Sequence, residues 1–143
     1  MNVTLDANVI VSGLSRRTTG APTEVIDRWK RRDFDVFLSK HIVDRVEEAW
    51  RKPYFRSFLS DEEIQRILHE IDALMAEVKP TEGIHGVAPD DEYDLILATA
   101  VAADADFLVT GDKGLLALGE FRGIPIVSPR EFLVRLDVVD RIG

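Results

Sequence analysis

Short β-branched runs alternate along this chain with stretches whose apolar residues recur at helical spacing. Residues 2–5 read as a first strand. Residues 21–32 read as a helix with Pro22 in its first turn, an apolar face of Val25, Ile26 and Trp29, and a basic end at Lys30-Arg31-Arg32 that complements the helix dipole. Residues 34–38 form a second strand, and residues 41–50 a helix with Ile42, Val43, Val46 and Trp50 as its buried stripe, stopped by Pro53. Ser60 and Glu63 have the spacing of a capping box. Behind them Ile64, Ile67, Leu68, Ile71, Leu74, Met75 and Val78 predict one core helix. A Gly- and Pro-containing loop over residues 79–89 follows, with a short strand near residues 84–87. Residues 95–102 are apolar nearly all round, which predicts a well-buried helix opened by the acids at 90–94. Residues 107–110 are a strand, residues 115–118 a turn of helix, and residues 124–127 a last strand, at an edge because Pro125 cannot donate to a ladder. Ser128 and Glu131 have capping-box spacing and open a helix from 131 to about 136. Strands alternating with helices imply α/β architecture: a three-layer sandwich with a central parallel sheet of about four to five strands and helices on both faces.

Length and composition narrow the class. At 143 residues, one domain spanning 1–143 is expected. The longest apolar runs are far short of a transmembrane span, and the N-terminus lacks a signal-peptide pattern. The chain has no cysteine, so disulfides and thiolate metal sites are excluded and a cytoplasmic location is expected. Any metal must be held by carboxylates, carbonyls or the three histidines, and carboxylates suit Mg²⁺ or Mn²⁺. The net charge of −8 is uneven. Residues 1–69 carry 12 Lys and Arg against 11 Asp and Glu, whereas residues 70–143 carry 6 against 15. Soluble helix faces account for such an excess, and so does a carboxylate cluster that takes a cation.

The candidate chemistry lies where strands end in acids. Asp6 follows the first strand directly, with Asn8 two residues on, and Asp112 follows Thr110-Gly111 after the fourth. In parallel α/β sheets, ligands bind outside the carboxyl ends of the strands. If these two strands are neighbours, Asp6 and Asp112 face one another, and the helix behind Pro89 can bring Asp94 or Asp91 to the same place. Carboxylates gathered in this way repel one another unless protonated or bridged by a cation. Taken singly, each acid is equally an ordinary helix cap.

Leu5-Asp6-Ala7-Asn8-Val9-Ile10 resembles the opening motif of PIN-domain ribonucleases. The segments 97–100 and 104–113 resemble that family's third and fourth motifs. Ser128-Pro129-Arg130-Glu131-Phe132-Leu133 resembles the C-terminal signature of a bacterial branch of toxin–antitoxin toxins, similar to the VapC-like ribonucleases. The resemblance implies a PIN-like fold, a metal-dependent endoribonuclease using Mg²⁺ or Mn²⁺, an RNA substrate, an antitoxin partner and a homodimer. Asp6 matches the first acid of the family and Asp112 the fourth. The second acid's position falls on Arg45, with Asp44 adjacent and Glu48 one turn on. The third falls on Tyr93, with Asp94 adjacent. Gly114 stands where relatives often carry an Asp. The catalytic set this implies is Asp6, Asp44, Asp94 and Asp112, with Asp6, Asp91, Asp94 and Asp112 toward the metal, and Arg16, Arg17 and Arg45 toward phosphate.

Two other functions are compatible with these residues. Arg45 and Tyr93 suit a catalytically lapsed relative that acts by binding. A lone Asp at a strand end also suits a phosphatase or receiver-like domain that accepts phosphate on Asp6.

Overall fold

β1 (Asn2–Leu5) is the centre of the sheet, and Val3, Thr4 and Leu5 are fully buried. It is followed by α1 (Ala7–Leu14), α2 (Ala21–Lys30), β2 (Asp35–Leu38), α3 (Lys40–Trp50), α4 (Pro53–Arg56), α5 (Asp61–Leu74), β3 (Ala76–Glu77), α6 (Asp91–Ala102), β4 (Phe107–Val109), α7 (Lys113–Leu116), β5 (Glu120–Phe121), β6 (Ile124–Val127) and α8 (Pro129–Ile142). This computed structural model describes residues 1–15, 19–80, 84 and 91–142, without the side chains of Asp91 and Ile142. Arg16, Arg17, the Asp91 carboxylate and the short strand expected near 84–87, apart from Ile84 itself, lie outside the described residues.

Among the described residues the sheet has six strands in the order β3-β2-β1-β4-β6-β5. All neighbours are parallel except β5 and β6. Strand parity sorts the side chains into two layers. Val3, Leu5, Val36, Leu38, Phe107 and Val109 join one apolar cluster with α1, α2, α3, α5 and α8. Leu108, Ile124 and Ile126 join the other, against Leu97 and Ala100 of α6 and Leu115 of α7. The result is the expected sandwich, a mostly parallel sheet with helices on both faces.

Several details differ from the sequence reading. The helix expected to run through Val78 ends at Leu74. Met75 turns extended, with ψ 160°, and Ala76 and Glu77 pair with Phe37 and Leu38 as an outer strand. Apolar spacing persists across this break because Leu74 and Met75 pack partly against one cluster and Val78 against the other, while Ala76 and Glu77 between them are exposed. β6 is not at the edge: the two-residue β5 pairs outside it, and Gly119 C=O accepts the Ile126 N–H at 2.9 Å. α7 starts at Lys113, two residues before the expected turn, because Asp112 caps it. α8 continues to Ile142, well beyond 136. Leu95 is 47% exposed although its helix reads apolar all round.

The extension of α8 has a partner. Arg28 of α2, mostly buried, bonds Asp33 and reaches Asp137 at 3.2 Å and Asp140 at 2.7 Å. These pairs hold α8 against α2. Because the acids are half-exposed, Arg28→Ala is expected to cost only about 1 kcal/mol. Urea melts at low salt and at 1 M KCl check this, and the difference from wild type should shrink at high salt.

Candidate active site

The chain order reverses at β1. The chain moves from β1 out to β2 and β3 on one side, then returns to place β4 on the other. The β1–β4 junction is therefore the topological switch point, where the crevice of an open α/β sheet forms. Leu5 is in register with Val109, so Asp6 and Thr110 emerge side by side. The Asp6 N–H donates to Val109 C=O at 2.9 Å, which carries the pairing to the edge of the crevice.

Asp6 has two jobs. It caps α1, with Oδ1 accepting the Ala7 N–H at 2.7 Å. Its Oδ2 accepts from the Thr110 hydroxyl at 2.7 Å and from Asn8 Nδ2 at 3.2 Å. Only 6% of the residue is exposed. Burial raises its pKa above the ordinary value, opposed by the bonds from Thr110 and Ala7; the Asp112 charge raises it further and the Arg45 charge lowers it. Asn8 also accepts the Gly111 N–H at 3.0 Å, so one amide ties Asp6 to the loop that carries Asp112.

Asp112 caps α7, accepting the Gly114 N–H at 2.8 Å, and its own N–H donates to Thr110 Oγ1 at 3.0 Å. The Tyr93 hydroxyl donates to Asp112 Oδ1. That bond is the main reason the Asp112 pKa lies below the ordinary value; partial burial opposes it, and the N–H groups of Gly114 and Leu115 assist. The two carboxylates are therefore biased in opposite directions.

Both acids open into one cavity of about 320 Å³. Its other wall is one face of α3, with His41, Arg45 and Glu48, joined by Lys52 at the N-terminus of α4, and the first turn of α6 adds Glu92 and Tyr93. Ser39 and Thr99 set these helices against each other. Ser39 Oγ caps α3 and receives the buried Thr99 hydroxyl at 2.8 Å.

The expected site residues divide accordingly. Asp6 and Asp112 are brought together. Asp94 is buried at 5% exposure but does not line the cavity. It lies one residue, about 100° of helix rotation, from Tyr93, which does. Asp44 points away, bonded to Lys40 at 2.7 Å in an exposed pair, and Glu48 takes the cavity side. Glu92 was missed. It lies one turn before Ile96 on the same face of α6, and both line the cavity, but a helix apolar on most sides has no polar stripe to mark that face.

The donor set suits a hard divalent cation. Among the described residues no three Asp, Glu or His side chains gather closely enough to hold an ion by themselves. Mg²⁺, however, is commonly held by one or two carboxylates together with waters and substrate phosphates. Asp6 and Asp112 provide two, and their mutual repulsion is what a cation would relieve.

The family model described as the PIN domain matches residues 2–114. No match is found among curated proteins. Among solved structures, the fold is similar to a chain of VapBC2 from Rickettsia felis, in a structure bound to a DNA fragment from their promoter; identity is 13%, the TM-score is 0.61, and 90% of this chain and 98% of that one are covered. PAE2754 from Pyrobaculum aerophilum is similar at 18% identity and TM-score 0.60, covering 96% and 90%. FitAcB from Neisseria gonorrhoeae is similar at 18% identity and TM-score 0.55, covering 90% and 98%.

Proposed function

Because the chain belongs to the PIN-domain family, we propose that it is a metal-dependent endoribonuclease, the toxin component of a toxin–antitoxin pair. The observation that carries this reading is the pairing of Asp6 and Asp112 in the switch-point cavity, where their like charges repel. When bound, Mg²⁺ or Mn²⁺ supplies Lewis-acid stabilisation of phosphoryl charge and lowers the pKa of water. The chain's residues do the rest. Asp6 and Asp112 hold the ion, and Asn8 and Thr110 orient Asp6. Tyr93 keeps Asp112 ionised and aimed. Arg45 lies within the cavity to receive a phosphate of the RNA strand. Asp94 and Asp91 are kept as outer acids of the same set, and Glu48 stands in the place expected for Asp44.

The toxin assignment rests on the C-terminal Ser128–Leu133 signature together with the fold likeness to VapBC2 and FitAcB. It implies an antitoxin partner, a homodimer and a cytoplasmic setting. No helix among the described residues is long and apolar enough to cross a membrane. Val134 and Val138 on one face of α8, beside Val139, are 56%, 47% and 44% exposed and offer apolar area to a partner. Of the aromatics on and after α4, Phe55 and Phe58 pack against the core, and Tyr54 stays 63% exposed.

A second reading, a lapsed nuclease that acts by binding, is favoured by Arg45 and Tyr93 standing inside the cavity where a carboxylate would strengthen a cation site. One experiment separates the two. Single-stranded RNA incubated with the chain and Mn²⁺ is expected to be cut, with cleavage abolished by EDTA and restored by excess Mn²⁺. RNA that stays intact at every Mn²⁺ concentration, yet shifts with the protein on a native gel, would favour the binding role.

A further inference from the structure

Arg45 has a more specific place than that of a general phosphate contact. Its guanidinium forks onto Glu92, with Nη1 at 2.7 Å from Oε1 and Nη2 at 2.7 Å from Oε2. The same Nη1 is 3.5 Å from Glu48 Oε2. One arginine thus engages the two cavity acids that are not at the strand ends, and a planar fork onto a carboxylate is a geometry lysine cannot copy. Its charge also reaches the far wall, where it favours the ionised form of Asp6.

A charge count shows what this does to the cavity. Among the described residues, four carboxylates line it: Asp6, Glu48, Glu92 and Asp112. Arg45 and Lys52 are the fixed cations on the same wall. Four negative charges against two positive leave −2, the charge that one divalent ion cancels. With an acid at 45, five negative charges against Lys52 alone would leave −4, which calls for two. We propose that Arg45 is the built-in second cation of this site: it neutralises Glu48 and Glu92, limits the cavity to one divalent ion at Asp6 and Asp112, and swings its guanidinium to the RNA phosphate. A divalent ion beside Glu92 would meet a fixed positive charge within bonding distance of the same oxygens, which disfavours a second ion. Nearly half of the Arg45 side chain is exposed, so it can exchange Glu92 for a phosphate without leaving a buried charge unpaired.

This inference rests on the metal-nuclease reading, and the test separates the two. Metal-free protein is titrated with Mn²⁺ by calorimetry as wild type, Arg45→Glu, Arg45→Gln and Asp6→Asn. One ion per chain in wild type and two in Arg45→Glu is the expected result. Two ions in wild type, or a single ion in Arg45→Glu with its affinity changed less than threefold, would overturn the proposal while leaving the nuclease reading intact. No binding in wild type would defeat the nuclease reading and this inference with it. Circular dichroism confirms the fold of each variant. A second measurement stands if Arg45→Glu does not fold. Fluorescence anisotropy of a labelled single-stranded RNA, in EDTA across a KCl series, is expected to show the log–log salt slope reduced by about one for Arg45→Gln. An unchanged slope would remove Arg45 from the phosphate.

Discussion

Asp6→Asn is expected to abolish Mn²⁺ binding and to lower RNA cleavage by roughly a thousandfold, with the fold retained. Lewis-acid stabilisation of a phosphoryl transition state contributes several kcal/mol, and each 1.4 kcal/mol or so is tenfold in rate. The fold survives because Asn also caps helices, and Oδ1 can still accept the Ala7 N–H. The loss is local. The new amide nitrogen would face the Thr110 hydroxyl and Asn8 Nδ2, both donors to Asp6 in wild type. Removal of a buried charge offsets that mismatch, so stability should change by about 1 kcal/mol or less near neutral pH. Calorimetric Mn²⁺ titration and cleavage of a labelled RNA in the same samples check the first claim. Unchanged cleavage by the variant would remove Asp6 from the chemistry.

The same variant reports on pH. Asp6 is an acid whose folded pKa lies above its ordinary value of 3.8. Between those two values the folded chain holds a proton that the unfolded chain has lost, so this group's contribution to stability falls as pH rises. The cost of the buried charge is absent below about pH 3.8 and fully present above the raised folded value. Metal-free wild type should therefore lose stability relative to Asp6→Asn as pH rises through that window. Urea melts of both proteins at several pH values check the sign, and parallel pH profiles would mean that Asp6 is not strained by burial.

The frame that creates this strain was legible in the sequence. Strand β1 is a β-branched run ending in an acid and β4 is a short apolar run followed by Thr-Gly-Asp; successive residues of both are buried, so each reads as a nearly continuous apolar run with a polar end. Their adjacency was a supposition that the β1–β4 pairing bears out, and the two strand ends that carry Asp6 and Asp112 could be read from the sequence. The rotation of α6 could not. That helix is apolar on most sides, so no polar stripe fixes which residue of its first turn faces the cavity. A one-residue choice there exchanges Asp94 for Tyr93. On α3 the stripe of Ile42, Val46 and Trp50 was clear, yet Asp44 and Glu48 lie one turn apart on the opposite, exposed face, and the choice between them depends on how α3 leans on its neighbours. Lys40 and Arg45 make that choice by pairing with Asp44 and Glu48 respectively. β3 and β5 have two residues each, too short for any periodicity to register. The length of α8 was hidden because Asp137 and Asp140 read as a solvated end, whereas their partner Arg28 is 109 and 112 positions away.

Gly114→Ala is expected to displace Tyr93 and to destabilise the chain by about 1–3 kcal/mol. A Cβ at position 114 would fall 2.8 Å from the Tyr93 hydroxyl oxygen, 2.9 Å from Cε2 and 3.1 Å from Cζ. The backbone of 114 cannot retreat easily, since its N–H is bonded to Asp112 at 2.8 Å. The phenol must move, and with it goes the hydrogen bond that most strongly holds the Asp112 pKa down. The absence of a side chain at 114 and the presence of a phenol at 93 are thus one arrangement. A double-mutant cycle tests it. Tyr93→Ala empties the space, and in that background Gly114→Ala should be neutral or slightly stabilising, because Ala lowers the entropy of the unfolded chain. A coupling of at least about 1 kcal/mol between the two positions is expected from urea melts of the four proteins, and additivity within about 0.5 kcal/mol would mean that the two side chains do not compete for the space. Acid titration gives an independent reading. A depressed carboxylate stabilises the fold above its unfolded pKa, and that stability is lost as pH falls through the folded value. Tyr93→Phe keeps the ring and removes the hydroxyl, so it should weaken the stability contributed by Asp112 above its unfolded pKa and flatten the loss on the acid side. The two carboxylates then make opposite demands on pH: burial favours the fold with Asp6 protonated, whereas the Tyr93 hydroxyl and the N–H groups of Gly114 and Leu115 favour it with Asp112 ionised.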